Sequence, residues 1–84
     1  MNQSSARTQG NHAALMADST FDIISQIEKK ADFLHTAYQE YVRDAEKDGR
    51  PELAKLWNAM RDDEEKHLKM LKEELARDVR DNRI

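Results

Sequence analysis

The chain has 84 residues, with no cysteine, two glycines and one proline; 37% of the residues are charged, 6% are aromatic, and the net charge is −3. That makes room for one small domain, suits long helices better than a sheet, and excludes disulfides, thiolate-bound zinc and iron–sulfur clusters. The acidic balance with both signs interleaved argues against nucleic acid as a partner, and no run of ~18 apolar residues is present to span a membrane.

Residues 1–18 are small and polar without sustained periodicity, and read as a flexible N-terminal arm. His12 stands alone in that arm and is not taken as a metal ligand. No basic segment followed by an apolar stretch opens the chain, so no secretion signal is expected and the cytoplasm is the default location.

The spacing predicts a first helix over about 20–47. Ser19 or Thr20 can cap it, and Asp22 suits its positive end. Apolar or small residues recur at Phe21, Ile24, Ile27, Ala31, Leu34, Tyr38, Tyr41/Val42 and Ala45, a broad stripe of helical period. Asp48-Gly49 ends it, with Gly49 as the left-handed residue after the last turn. Pro51 fits the first turn of a second helix, expected over about 51–79. On its outer face Asp62/Lys66, Glu65/Lys69 and Glu73/Arg77 stand four apart, which reads as a solvated face. Residues 81–84 read as a fraying tail, leaving 19–80 as the folded hairpin. A turn of two or three residues makes the helices antiparallel neighbours. So small a unit buries little core by itself, so self-association is expected.

The second helix carries the chemistry. Its stripe runs through Leu53, Leu56/Trp57 and Met60 and resumes at Leu68, Leu71 and Leu75. Between them stand Glu64 and His67. At ~100° per residue, Glu64 falls within about 20° of Met60 and Leu71, near the centre of the face that should be buried. A carboxylate there must be neutralised, paired or metal-bound. His67 is three residues on, on the same face, and Glu-x-x-His is the spacing with which di-iron carboxylate bundles bring a carboxylate and an imidazole to a metal. The first helix offers Glu28, His35 and, more weakly, Asp32 as further ligands. Hairpin register favours His35, which is level with Glu64; chemistry favours Glu28, since a carboxylate can bridge two metals. Tyr38 and Tyr41 read as core or boundary aromatics that can hydrogen-bond to a ligand, and Trp57, Met60 and Met70 as core or interface fillers.

The run from Gly49-Arg50-Pro51-Glu52-Leu53-Ala54 through Leu56-Trp57 and Met60 to Asp62-Asp63-Glu64 and His67 resembles the second helix of a rubrerythrin-type ferritin-like half-bundle. It is most similar to the encapsulated ferritins, two-helix proteins with a Pro-Glu-Leu start and an acidic run into the His. The resemblance covers roughly residues 20–79. It implies an all-α hairpin that dimerises about a two-fold axis into a four-helix bundle. A di-iron site would lie between the subunits, with Glu64 and His67 from each chain and one first-helix group. Fe(II) oxidation, storage or detoxification is the implied function; Mn(II) or Zn(II) suits the same donors in vitro. No catalytic residue beyond the metal ligands is implied. Counting back from Gly49 or Pro51, the family's first-helix Glu falls on Ala31 or Leu34, which cannot bind metal, so either Glu28, Asp32 or His35 substitutes or the site is weakened. The C-terminus carries no apolar-and-basic peptide after a flexible linker, which argues against a protein shell as partner. The rival expectation is a non-enzymatic all-α dimerisation or adaptor module, with Glu64/His67 as a polar interface pair.

Overall fold

A computed structural model describes residues 15–84; residues 1–14, with His12, lie outside the described residues. The fold is an all-helical antiparallel hairpin. Its first arm consists of α1 (Asp18–Asp32), a π-helical turn (Phe33–Ala37) and α2 (Tyr38–Lys47), and its second arm is α3 (Pro51–Arg80). Among the described residues no helix is long and apolar enough to cross a membrane.

The turn follows from three consecutive residues. Gly49 takes φ +69°, a conformation in which a side chain would be strained, and lets the Gly49 and Arg50 N–H groups donate back to the Glu46 and Ala45 carbonyls at 3.1 and 2.8 Å. Pro51 then opens α3, where its missing N–H costs nothing. The far end of α3 closes in the same way, with Asn82 at φ 61° and the Arg83 N–H donating to the Asp78 carbonyl at 2.9 Å.

Facing side chains fix the register along the hairpin. Near the turn the Tyr41 ring tilts onto Trp57 with centroids 5.1 Å apart. One level up, the Arg61 guanidinium lies 5.5 Å over the Tyr38 ring and donates from Nη1 to its hydroxyl at 3.4 Å. At the open end the Thr20 hydroxyl donates to Asp78 Oδ2 at 2.6 Å. Thr20 therefore does not cap the first helix as the sequence suggests. The helix begins at Asp18, so Ser19 and Thr20 both lie inside it; the cap residue is Ala17, whose methyl group can make no cap bond, and the Thr20 hydroxyl is committed across the hairpin. Similarly, Arg77 pairs with Glu74 at 3.2 Å, three residues back, where the sequence pattern offers Glu73.

Burial is shallow. Among the described residues only Ala45, Ala54 and Thr20 are fully buried. Two helices side by side form a single layer, so each stripe is covered from one direction only.

The π turn was not anticipated. It accommodates one residue more than an α-helix would, which offsets the inward face upstream of it by about 100°. Past the turn the inward residues are Tyr38, Tyr41 and Ala45, as the periodicity predicts. Before it, Phe33, Lys30 and Gln26 join the face that the pattern assigned to Leu34, Ala31 and Ile27. The turn also brings Phe33 within 6.2 Å of both the Tyr38 and Tyr41 rings.

Thr20→Val is expected to cost about 1–3 kcal/mol of stability, since it leaves Asp78 without its hydroxyl donor. Urea unfolding followed by circular dichroism measures this; an unchanged midpoint would show that the open end is held by other contacts.

Candidate metal centre

Glu64 sits near the middle of α3, on the side that meets the first arm. Its side chain is 26% exposed, and Oε1 is shut off from water without an aligned hydrogen-bond donor. Two cationic or potentially cationic groups approach that oxygen. The Lys30 ammonium reaches it from α1 at 2.9 Å, as an ion pair. His67 Nδ1 lies 3.5 Å away, one turn further along α3. The Lys30 ammonium is the main reason the Glu64 carboxyl is held below the ordinary carboxylate range; burial works against it, and His67 adds a smaller lowering.

His67 itself is 55% exposed. It belongs to an exposed stripe of α3 that runs Leu56, Met60, His67, Met70 at helical spacing, with Met70 60% exposed. This stripe borders a groove between the arms. On one side lie Gln26, Lys29, Lys30 and Phe33; on the other, Met60 and Glu64 give way to His67 and Met70 further along. The groove is mostly apolar at its walls, with the carboxylate and the imidazole opening on it.

The other sequence candidates lie elsewhere on the surface. Glu28, Asp32 and His35 are exposed. Glu28 is two residues from Lys30, hence about 200° around α1 from the side chain that reaches Glu64. Interpolating between the Tyr38/Arg61 and Thr20/Asp78 contacts puts Glu64 level with residues 34–35, as the turn position predicts. His35 nevertheless faces solvent from within the π turn. The Tyr38 hydroxyl accepts from Arg61, and Tyr41 packs on Trp57 and Phe33. Glu64 and His67 are thus the two candidates that one chain brings together. Among the described residues no group of three or more His, Cys, Asp or Glu is placed to hold a metal ion. The oxygen and nitrogen donors fit iron chemically, but one chain brings only these two together among the described residues, and the Lys30 ammonium already stands against Oε1.

Lys30 is the site residue that sequence reasoning missed. Its signal was hidden by the π turn, which moves it into the inward position that an uninterrupted helix gives to Ala31. Ala31 is one of the two places where the resemblance counts the first-helix carboxylate.

The chain matches the family described as Rubrerythrin over residues 10–83. It belongs to that family. Neither a curated protein nor a solved structure matches it. Membership in the Rubrerythrin family makes this a ferritin-like chain, of a family whose domains generally bind iron. The helical hairpin agrees with it, as half of such a bundle would.

In metal-free protein the Glu64 carboxyl is expected to titrate below an ordinary glutamate, and Lys30→Met to bring it back up. The ion pair therefore adds stability above the ordinary carboxylate range, and that stability is lost as pH falls through the lowered folded value. Carboxyl carbon NMR across an acid titration reads both effects; a midpoint unmoved by Lys30→Met would contradict the assigned cause.

Proposed function

We propose that two copies of this hairpin pack groove to groove about a two-fold axis into a ferritin-like four-helix bundle that holds a di-iron carboxylate site. The assembly would serve Fe(II) oxidation, for storage or detoxification. One observation carries the reading: the Glu64–His67 pair opens on a groove whose exposed residues, Met60, Met70 and Leu56 nearby, have no cover within one chain. A second copy laid on that groove covers the stripe and brings a second carboxylate–imidazole pair to the first. Two such pairs reach the donor number that one chain lacks.

In this reading Glu64 chelates or bridges and His67 anchors through a neutral ring nitrogen. Glu28, His35 or, more weakly, Asp32 would complete the shell from the first arm only by turning toward the groove on assembly, since each is exposed outside it in the single chain. Iron held there would supply electrons for the reduction of oxygen or peroxide. Met60, Met70 and Phe33 would keep bulk water from the donors once the groove is covered. The two-helix unit with its Pro51-Glu52-Leu53 start favours the encapsulated ferritins as the nearest branch of the family.

A second reading is favoured by the Lys30–Glu64 contact at 2.9 Å. If that pair is complete in itself, the module is a helical adaptor whose Glu64 and His67 set interface specificity. The two readings part on stability. In the adaptor, Glu64→Leu raises the melting temperature and metal does nothing. In the iron protein, Fe(II), Mn(II) or Zn(II) raises it by binding the folded assembly.

Anaerobic Fe(II) titration followed by air is expected to show protein-dependent oxidation that Glu64→Ala abolishes. Oxidation at the rate of buffer alone sinks the proposal. Sedimentation is expected to find a dimer or a larger even assembly, which Met70→Glu shifts toward monomer; a monomeric wild type would remove the shared site.

A further inference from the structure

The Lys30 ammonium is placed where a bound cation would sit. It meets Glu64 Oε1 at 2.9 Å from the opposite arm, and the two side chains are 20% and 26% exposed. The approach is an ion pair without hydrogen-bond alignment, since Oε1 is left with no aligned donor. We infer that Lys30 is a displaceable counter-cation, which neutralises Glu64 in the metal-free chain and leaves it when a divalent cation binds the Glu64–His67 pair. The inference rests on the metal-binding reading above and goes beyond it.

Three features support exchange over a permanent pairing. First, an ammonium and a divalent cation cannot share one carboxylate oxygen, because at contact distance in a partly dry groove their repulsion is several-fold larger than in water. Second, lysine is suited to leave: its charge sits on a flexible four-carbon stem and needs no fixed fork of acceptors. Third, it has somewhere to go. Lys30 borders the groove at Glu64 and also the adjoining cavity that Glu73 and Glu74 line, so the displaced ammonium stays beside carboxylates. No charge need be stranded at either end of the movement. The empty groove avoids an unpaired buried carboxylate, and the filled one avoids a trapped lysine.

The test uses Zn(II), which is redox-inert and diamagnetic, with the full chain. Calorimetric titration compares wild type, Lys30→Met, Lys30→Gln and Lys30→Arg. Without the competing cation, the Met and Gln variants are expected to bind about tenfold tighter than wild type, the factor that ~1.4 kcal/mol represents. Lys30→Arg keeps the charge and binds no tighter than wild type. The Gln variant guards against a folding defect peculiar to Met. Independently, the ammonium nitrogen resonance of Lys30 in wild type is expected to shift and its protons to exchange faster as Zn(II) saturates. Equal or weaker binding by both neutral variants, or an unchanged Lys30 resonance at saturation, overturns the inference. If wild type binds Zn(II) and the neutral variants bind no tighter, the exchange alone fails. If none of the four binds, the metal reading fails with it.

Discussion

A negative charge lodged in an apolar seam is the constraint around which this hairpin is arranged. Glu64 interrupts the stripe of α3 where the neighbouring turns supply Met60, Leu68 and Leu71. Leaving its carboxylate both dry and alone would cost several kcal/mol, more than a small helical unit can absorb. The chain answers with a long cation from the first arm: Lys30 spans from α1 to close on Oε1. Backbone geometry agrees with that answer, because the extra residue of the π turn offsets the upstream face by about 100° toward Lys30. The carboxylate, the lysine and the irregular turn are one feature seen at three levels.

The second constraint is thickness. A single layer of two helices encloses two alanines and one threonine among its described residues. Larger side chains are covered on one flank and bare on the other. Hydrophobic burial is roughly proportional to area removed from water, so a hairpin of this kind gains most by acquiring another layer. The bare flank is not uniform. It is methionine-rich at Met60 and Met70, with an imidazole between them, and methionine fills irregular gaps more readily than branched residues do. Such a surface suits a partner whose contacts must also leave space around donor atoms.

What could be read from the sequence was what local chemistry decides. Gly49 and Pro51 specify the turn by their own φ angles, so the two arms, their antiparallel order and the level of Glu64 along them follow without tertiary information. Glu64 stood out for the opposite reason, as a polar residue at a place where periodicity demanded an apolar one, and it is partly covered; His67, expected on the same face, is 55% exposed. The failures come where distant contacts override local preference. Thr20 is a good capping residue in sequence, but its hydroxyl found Asp78, 58 residues away. Lys30 lies off the apolar stripe of the first helix, and a helical wheel that assumes an uninterrupted helix gives no reason to single it out. A single π turn breaks that assumption, and it leaves no mark in the apolar pattern, since Ala31 and Leu34 fit either face. His35 was chosen by level along the axis, which the structure matches; its direction depends on the same π turn.

The position of Lys30 also bears on the proposal that a binding site is shared between copies. Within one chain, two donors compete for a cation against a covalently tethered ammonium whose local concentration is always high. Two donors rarely win that contest. In the proposed dimer a second hairpin would double donors and tethered lysines alike, so any gain for an external cation would come from donors of both chains closing on one ion. Thermodynamic linkage makes the relation reciprocal: whatever the assembly contributes to cation affinity, the cation returns to assembly. Under the proposal, Lys30 would pair the Glu64 carboxylate in the separate chain and a divalent cation would do so in the assembly, so that it is compensated in both states.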